Sequence, residues 1–102
     1  MIIHMVDNDR VIARIEGQKE PYCIYKALDV RSDYVLFWSS LRKMEISVSV
    51  GQVHETHLFG KDYEIELRRV VQGKEGLVAE IELRSSCDTL EFKRLMNRGA
   101  PA

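Results

Sequence analysis

Some residues in this 102-residue chain have the types and spacing that site chemistry requires. The stretch VHETH, residues 53–57, holds His54, Glu55 and His57, which raises metal chelation or acid–base work. His54 and His57 are three positions apart, so on a strand they point to opposite faces and cannot hold one ion together. A helix would bring them together, but Gly51 and Gly60 leave room for less than three turns. The spacing is also HExH, one residue short of the zincin HExxH. A surface or rim histidine pair with no metal is therefore expected, and His4 joins it only if the fold brings it close.

Two further features concern arginine. Arg10 and Arg14 form an RxxxR that could attract phosphate, against the plainer expectation of exposed residues on a strand beside a turn. Arg69 is expected on the inner face of a hairpin, where an arginine either snorkels to the rim or binds an anion or carboxylate. Lys93, Arg94 and Arg98 are most simply a solvated helix face. Nothing supports catalysis: there is no G-x-S-x-G, no paired carboxylates in an evident loop setting and no glycine-rich phosphate loop. No catalytic residue, metal or cofactor is expected. An enzyme would need groups converging from distant strands.

The bulk properties narrow the class. One domain over 1–102 can bury a modest core without disulfides or metal. Fifteen basic and sixteen acidic residues leave a formal net charge of -1, which argues against nucleic-acid binding by global electrostatics. MIIHMVDNDR lacks the basic and apolar regions of a secretory signal, and no apolar run approaches a membrane span. Cys23 and Cys87 are too few for a disulfide scaffold and are expected as free, half-buried thiols in a reducing cytoplasm.

The elements that would position these residues are strands. Turn-forming residues recur about every eight to twelve positions, the rhythm of a small barrel or sandwich. Between them lie candidate strands over 2–6, 10–16, 22–30, 34–38, 43–50, 53–59, 62–71 and 77–84. In MEISVSV, Met44, Ile46, Val48 and Val50 share one face and Glu45, Ser47 and Ser49 the other, the pattern of a half-buried strand. The continuous apolar run YVLFW suits a strand covered on both sides, with a helix as one cover. The turn at Gly51–Gln52 and a type II′ turn at Gly60–Lys61 disagree by one residue about which face 53–58 turns inward, so a bulge or sheet-to-sheet crossing is expected between 50 and 54.

Charge registers the last hairpin. With Val71 opposite Leu77, Leu67 meets Ile81 and Ile65 meets Leu83 inside, while Arg68 meets Glu80 and Glu64 meets Arg84 outside. Glu66 then faces Glu82, a like-charge penalty, and Arg69 lies inward opposite Ala79. After Arg84 the period changes. Asp88 as N-cap, Glu91 three later, Cys87 with Phe92 as a staple and Gly99 as the stop predict a helix over about 88–98. The whole predicts a mainly β fold, a small antiparallel β-barrel of six to eight strands with one C-terminal α-helix.

RVIAR, then DVRSDY on a strand, then LRRVV, a closing LVAEIEL and a terminal helix resemble the order of a PilZ domain, the bacterial cyclic-di-GMP-binding barrel. That resemblance adds Asp29, the acidic position of the [DN]xSxxG motif, to Arg10 and Arg14 as ligand-binding candidates. Arg31 stands where the family has serine and Tyr34 where it has glycine, so the nucleotide motif is broken. The resemblance then implies a degenerate, cytoplasmic, bacterial barrel, a non-enzymatic binding or regulatory module acting through a protein partner with little or no cyclic-di-GMP binding. The ending IELRSSCDTLEFKRLMNR also resembles the closing strand and helix of a pleckstrin-homology-like barrel, implying a peptide or phosphoinositide adaptor. The basic loop that lipid binding needs is missing, since GQKEP has one lysine.

Overall fold

Alternation of apolar and polar residues runs through nearly the whole chain, and it becomes nine strands among the described residues: β1 (Ile2–Met5), β2 (Arg10–Ile15), β3 (Tyr22–Val30), β4 (Tyr34–Ser39), β5 (Met44–Ser49), β6 (Val53–Leu58), β7 (Lys61–Gly73), β8 (Gly76–Ser85) and β9 (Leu90–Leu95). The computed structural model describes residues 1–15, 22–58, 60–74, 76–85 and 90–95, with backbone alone for 15, 58, 61 and 90–95. All strand pairs are antiparallel and form two sheets, β1-β8-β7-β6 and β5-β4-β3-β2-β9. Their inner faces enclose one apolar core that includes Met5, Val11, Phe37, Ile65, Leu67 and Ile81.

The mainly β expectation holds, but the barrel does not close. β5 and β6 follow each other in sequence yet belong to different sheets and are each the outermost strand. The reason is local. Gly51, at φ 85°, turns the chain out of the β5 sheet, and its N–H donates to the carbonyl of Leu67 at 2.7 Å. Leu67 N–H in turn faces the Gln52 carbonyl at 3.4 Å. Residues 50–52 are thus the expected sheet-to-sheet crossing, and the backbone groups that could have joined β5 to β6 are directed to β7.

The helix expected over 88–98 is not found among the described residues of that range. Leu90–Leu95 is instead a strand, registered on β2 from Arg10↔Leu95 to Ile15↔Leu90. An isolated helix of this length is marginal, whereas the free edge of β2 offers six residues of ladder, so tertiary pairing overrides the local capping signal. The capping residues themselves, Cys87, Asp88 and Gly99, lie outside the described residues. YVLFW is therefore fully covered on one face only: Val35 and Phe37 are buried in the core, while on the outer face Leu36 is half-buried and Trp38 is 39% exposed.

The β7–β8 hairpin follows the expected register from Glu64↔Arg84 to Leu67↔Ile81 and then departs from it. A bulge at Arg68 shifts the ladder, so Arg69 pairs with Glu80 and Val70 with Ala79. The expectation that Arg69 lies inward is overturned. Its side chain is 66% exposed, with Nη2 3.2 Å from Glu80. A regular ladder would have driven a guanidinium into the core, and the extra residue lets both arginines face out before Val70 resumes the inner face. Arg68 reaches Glu82 at 2.8 Å rather than standing opposite Glu80. The like-charge Glu66↔Glu82 pair is compensated by Arg84, whose Nη1 lies 2.9 Å from Glu66 and 2.7 Å from Glu82.

The turn Asp7–Asn8–Asp9 fastens β1 and β2 to β3. Asp9 Oδ2 accepts from Val6 N–H at 3.0 Å, and Asp7 Oδ1 accepts from Val30 N–H at 2.7 Å. Asn8, at φ 72°, donates its N–H to the Ala27 carbonyl at 2.7 Å.

The bulge makes an unusual prediction. Deleting Arg68 should leave a regular ladder with every side chain on its present face, changing stability by no more than about 1 kcal/mol. Deleting Leu67 should turn Arg68 inward and cost on the order of 4 kcal/mol or more. Denaturant melts of the two deletion variants separate these outcomes, and equal damage from both would contradict the bulge.

Candidate functional site

The residues singled out from sequence are not brought together. Arg10 and Arg14 lie on the outer face of β2, with Arg10 opposite Lys26. Four residues of strand separate them by roughly 13 Å. Asp29 is on the outer face of β3 beyond the start of β2, and its carboxylate receives the Nε–H of Arg31 at 2.7 Å. Arg14 and Asp29 therefore sit toward opposite ends of the sheet, roughly 20 Å or more apart. Arg69 is on the other sheet altogether.

The histidines behave as strand geometry requires. His54 is half-buried on the inner side of β6 and pairs with Ile65, while His57 is exposed beside Asp62. The β6–β7 ladder runs to Leu58↔Lys61, two residues in register from the one a Gly60–Lys61 turn would set, and every described face is unchanged. The Nε2 of His54 is enclosed, with no hydrogen-bond partner among the described residues. His4 sits at the far edge of the same sheet, 3.5 Å from Glu80. No group of three or more potential metal ligands occurs among the described residues.

The open side of the sandwich, where β5 and β6 end their sheets, carries features that no single strand's pattern encodes. An open cleft of about 670 Å³ lies there, lined by Arg42 from the β4–β5 turn and by Thr56, His57, Tyr63, Arg84 and Ser85. Below it the Tyr25 and Tyr63 rings meet edge to face at 6.4 Å, and their hydroxyls lie against each other, with Thr56 beside Tyr63. Burial is the main reason both phenols titrate above the usual tyrosine range, and the charge of Arg42 opposes it. The period-2 pattern marks Tyr63 as inward. That Tyr25 and Tyr63 meet across two sheets depends on a long-range contact no local pattern encodes. Along the same side Met44, Val50 and Val53 are 50%, 45% and 42% exposed.

The outer face of the β6–β7–β8 sheet is organised by arginine. Arg84 contacts Glu64, Glu66 and Glu82, Arg68 contacts Glu80 and Glu82, and Arg69 contacts Glu80. These ion pairs occupy the arginines and make that face a structural ladder. Cys23 is half-buried, with its Sγ 3.7 Å from the Tyr25 carbonyl. Burial raises its thiol pKa, offset in part by Arg10 and Lys26, which disfavours the reactive thiolate. No helix among the described residues is long and apolar enough to cross a membrane.

Compared with family models, with curated proteins and with solved structures, the chain matches none.

Two measurements check this geometry. Because burial holds the phenol protons more tightly in the folded state than in the unfolded chain, the unfolded chain releases them first, and stability should fall as pH rises past about 10. Tyr63→Phe should flatten that alkaline loss, read as Tm against pH. Zinc should leave the melting temperature unchanged. A Tm that climbs with zinc concentration would mean that His54 and His57 share an ion after all.

Proposed function

We propose that this chain is a non-enzymatic binding or regulatory module, similar in plan to a PilZ domain with a degenerate nucleotide motif. It would act through a protein partner docked on the side formed by residues 43–59, with little or no affinity for cyclic-di-GMP. The observation that carries this reading is the open side itself. Two sheet edges, β5 and β6, lie there with Met44, Val50 and Val53 exposed between polar neighbours. Unpaired strand edges and clustered exposed apolar side chains are features of protein-docking surfaces.

The nucleotide motif supports the second half of the reading. Two phosphodiesters call for arginines on a mobile arm, but Arg10 and Arg14 are held in β2 between β3 and β9. Asp29 is already engaged by Arg31. Arg31 and Tyr34 add bulk where the motif has small residues. Phosphate attraction by Arg10 and Arg14 alone would be nonspecific and salt-sensitive. The peptide-binding form of the pleckstrin-homology-like alternative is favoured by the same exposed edge, which suits an extended peptide.

Backbone amide shifts test the proposal. Titration with cyclic-di-GMP should leave Arg10, Arg14 and Asp29 unmoved, while a partner protein from the native cell should shift residues 43–59. Saturable micromolar binding centred on Arg10, Arg14 and Asp29 would overturn it.

A further inference from the structure

We infer that the β5 edge pairs with the β5 edge of a second copy of this chain, antiparallel and centred on Ile46. This rests on the docking reading of the 43–59 side and names its occupant.

The argument begins with which backbone groups of β5 are free. β5 pairs with β4 from Tyr34↔Ser49 to Ser39↔Met44. One step further along, Val50 N–H donates to the Asp33 carbonyl at 2.9 Å. In an antiparallel ladder hydrogen-bonded pairs alternate with non-hydrogen-bonded ones, so Val48, Ile46 and Met44 direct their backbone groups to β4. Ser49, Ser47 and Glu45 direct theirs outward. Ser49 is already satisfied: its N–H donates to Gln52 Oε1 at 3.0 Å, and its carbonyl accepts from Gln52 N–H at 2.9 Å. Glu45 and Ser47 are left with two donors and two acceptors and no partner among the described residues. Gln52 bounds this window on one side and Lys43, at φ 52°, bounds it on the other.

The register then selects a copy of the same strand. With Ile46 opposite Ile46 of the second copy, Glu45 faces Ser47 in both directions, and all four free groups of each chain are paired. Centring on Glu45 instead would set two carboxylates against each other. Centring on Ser47 would require the groups of Ser49 that Gln52 occupies. In the Ile46 register no like charges meet. On the inner face Met44, half exposed in the single chain, lies opposite Val48, and Ile46 lies opposite itself. The contact is self-complementary, as a two-fold interface must be.

Sedimentation equilibrium on the full chain, from micromolar to millimolar, should show a concentration-dependent dimer. Ser47→Pro removes only an outward N–H, so it should abolish the dimer and leave Tm close to wild type. Ser47→Lys places a lysine opposite Glu45 and should tighten the dimer about two- to fivefold, and Ser47→Glu should weaken it by a similar factor. Ile46→Cys, in a Cys23→Ser, Cys87→Ser background, should cross-link on oxidation, because a non-hydrogen-bonded pair holds Cα atoms about 4.5 Å apart. A monomer at every concentration, or a dimer indifferent to Ser47→Pro, would overturn the inference. If the chain stays monomeric while another protein's strand shifts Glu45–Ser47 and loses binding in Ser47→Pro, the second copy is wrong and the docking side stands. A partner that shifts another face and leaves 43–59 silent would remove the docking reading itself.

Discussion

Leu67 is the residue on which the two sheets depend. Its side chain is fully buried, and it pairs with Ile81 on one flank. On the other flank its carbonyl accepts from Gly51 and its N–H faces Gln52. One residue thus anchors the core, the central hairpin and the segment that crosses between sheets. The bulge begins immediately after it, so the ladder is regular up to Leu67 and re-aimed beyond it. Because the crossing strand is fastened to Leu67 rather than to β5, the sandwich stays open on that side, and the open side is where the exposed apolar residues and the cleft are found.

The charges divide the two sheets in a way that composition conceals. A net charge of -1 suggests an evenly mixed surface. Yet glutamates are concentrated on the outer face of one sheet, where Arg68, Arg69 and Arg84 bridge them into a network. Arg10 and Lys26 stand opposite each other on the outer face of the other sheet. Exposed ion pairs contribute little to stability singly. Here their physical role is to relieve the repulsion of Glu66 against Glu82, which the hairpin register imposes.

Strand positions were legible in the sequence because burial on one face writes a period of two, and MEISVS and the first part of the β7–β8 hairpin carry it plainly. The crossing near residue 51 was legible because two turns demanded opposite faces for the same strand. Arg69 was misplaced because the same rule, applied without a bulge, had to send it inward, and a bulge is an insertion that alternation alone does not reveal. The closing helix failed for a different reason. Its signals were local, and the free edge of β2 competes for the same residues from about eighty positions away. Of the candidate site, the opposed faces of His54 and His57 followed from spacing. The approach of Tyr25 to Tyr63 did not, because it is set by how two sheets stack.

The pairing of β1 with β8 has a consequence for the order in which the chain acquires its structure. The Met1 ammonium donates to the Leu83 carbonyl across 82 positions. The β3–β4–β5 meander can close through short turns as soon as it leaves the ribosome, since each strand's neighbour follows at once. β1 precedes its partner β8 by six intervening strands, so it must wait through the synthesis of β2 to β7 with its apolar face unprotected. Folding dominated by such distant pairings is slow, and the waiting strand is the part of the nascent chain most in need of shelter.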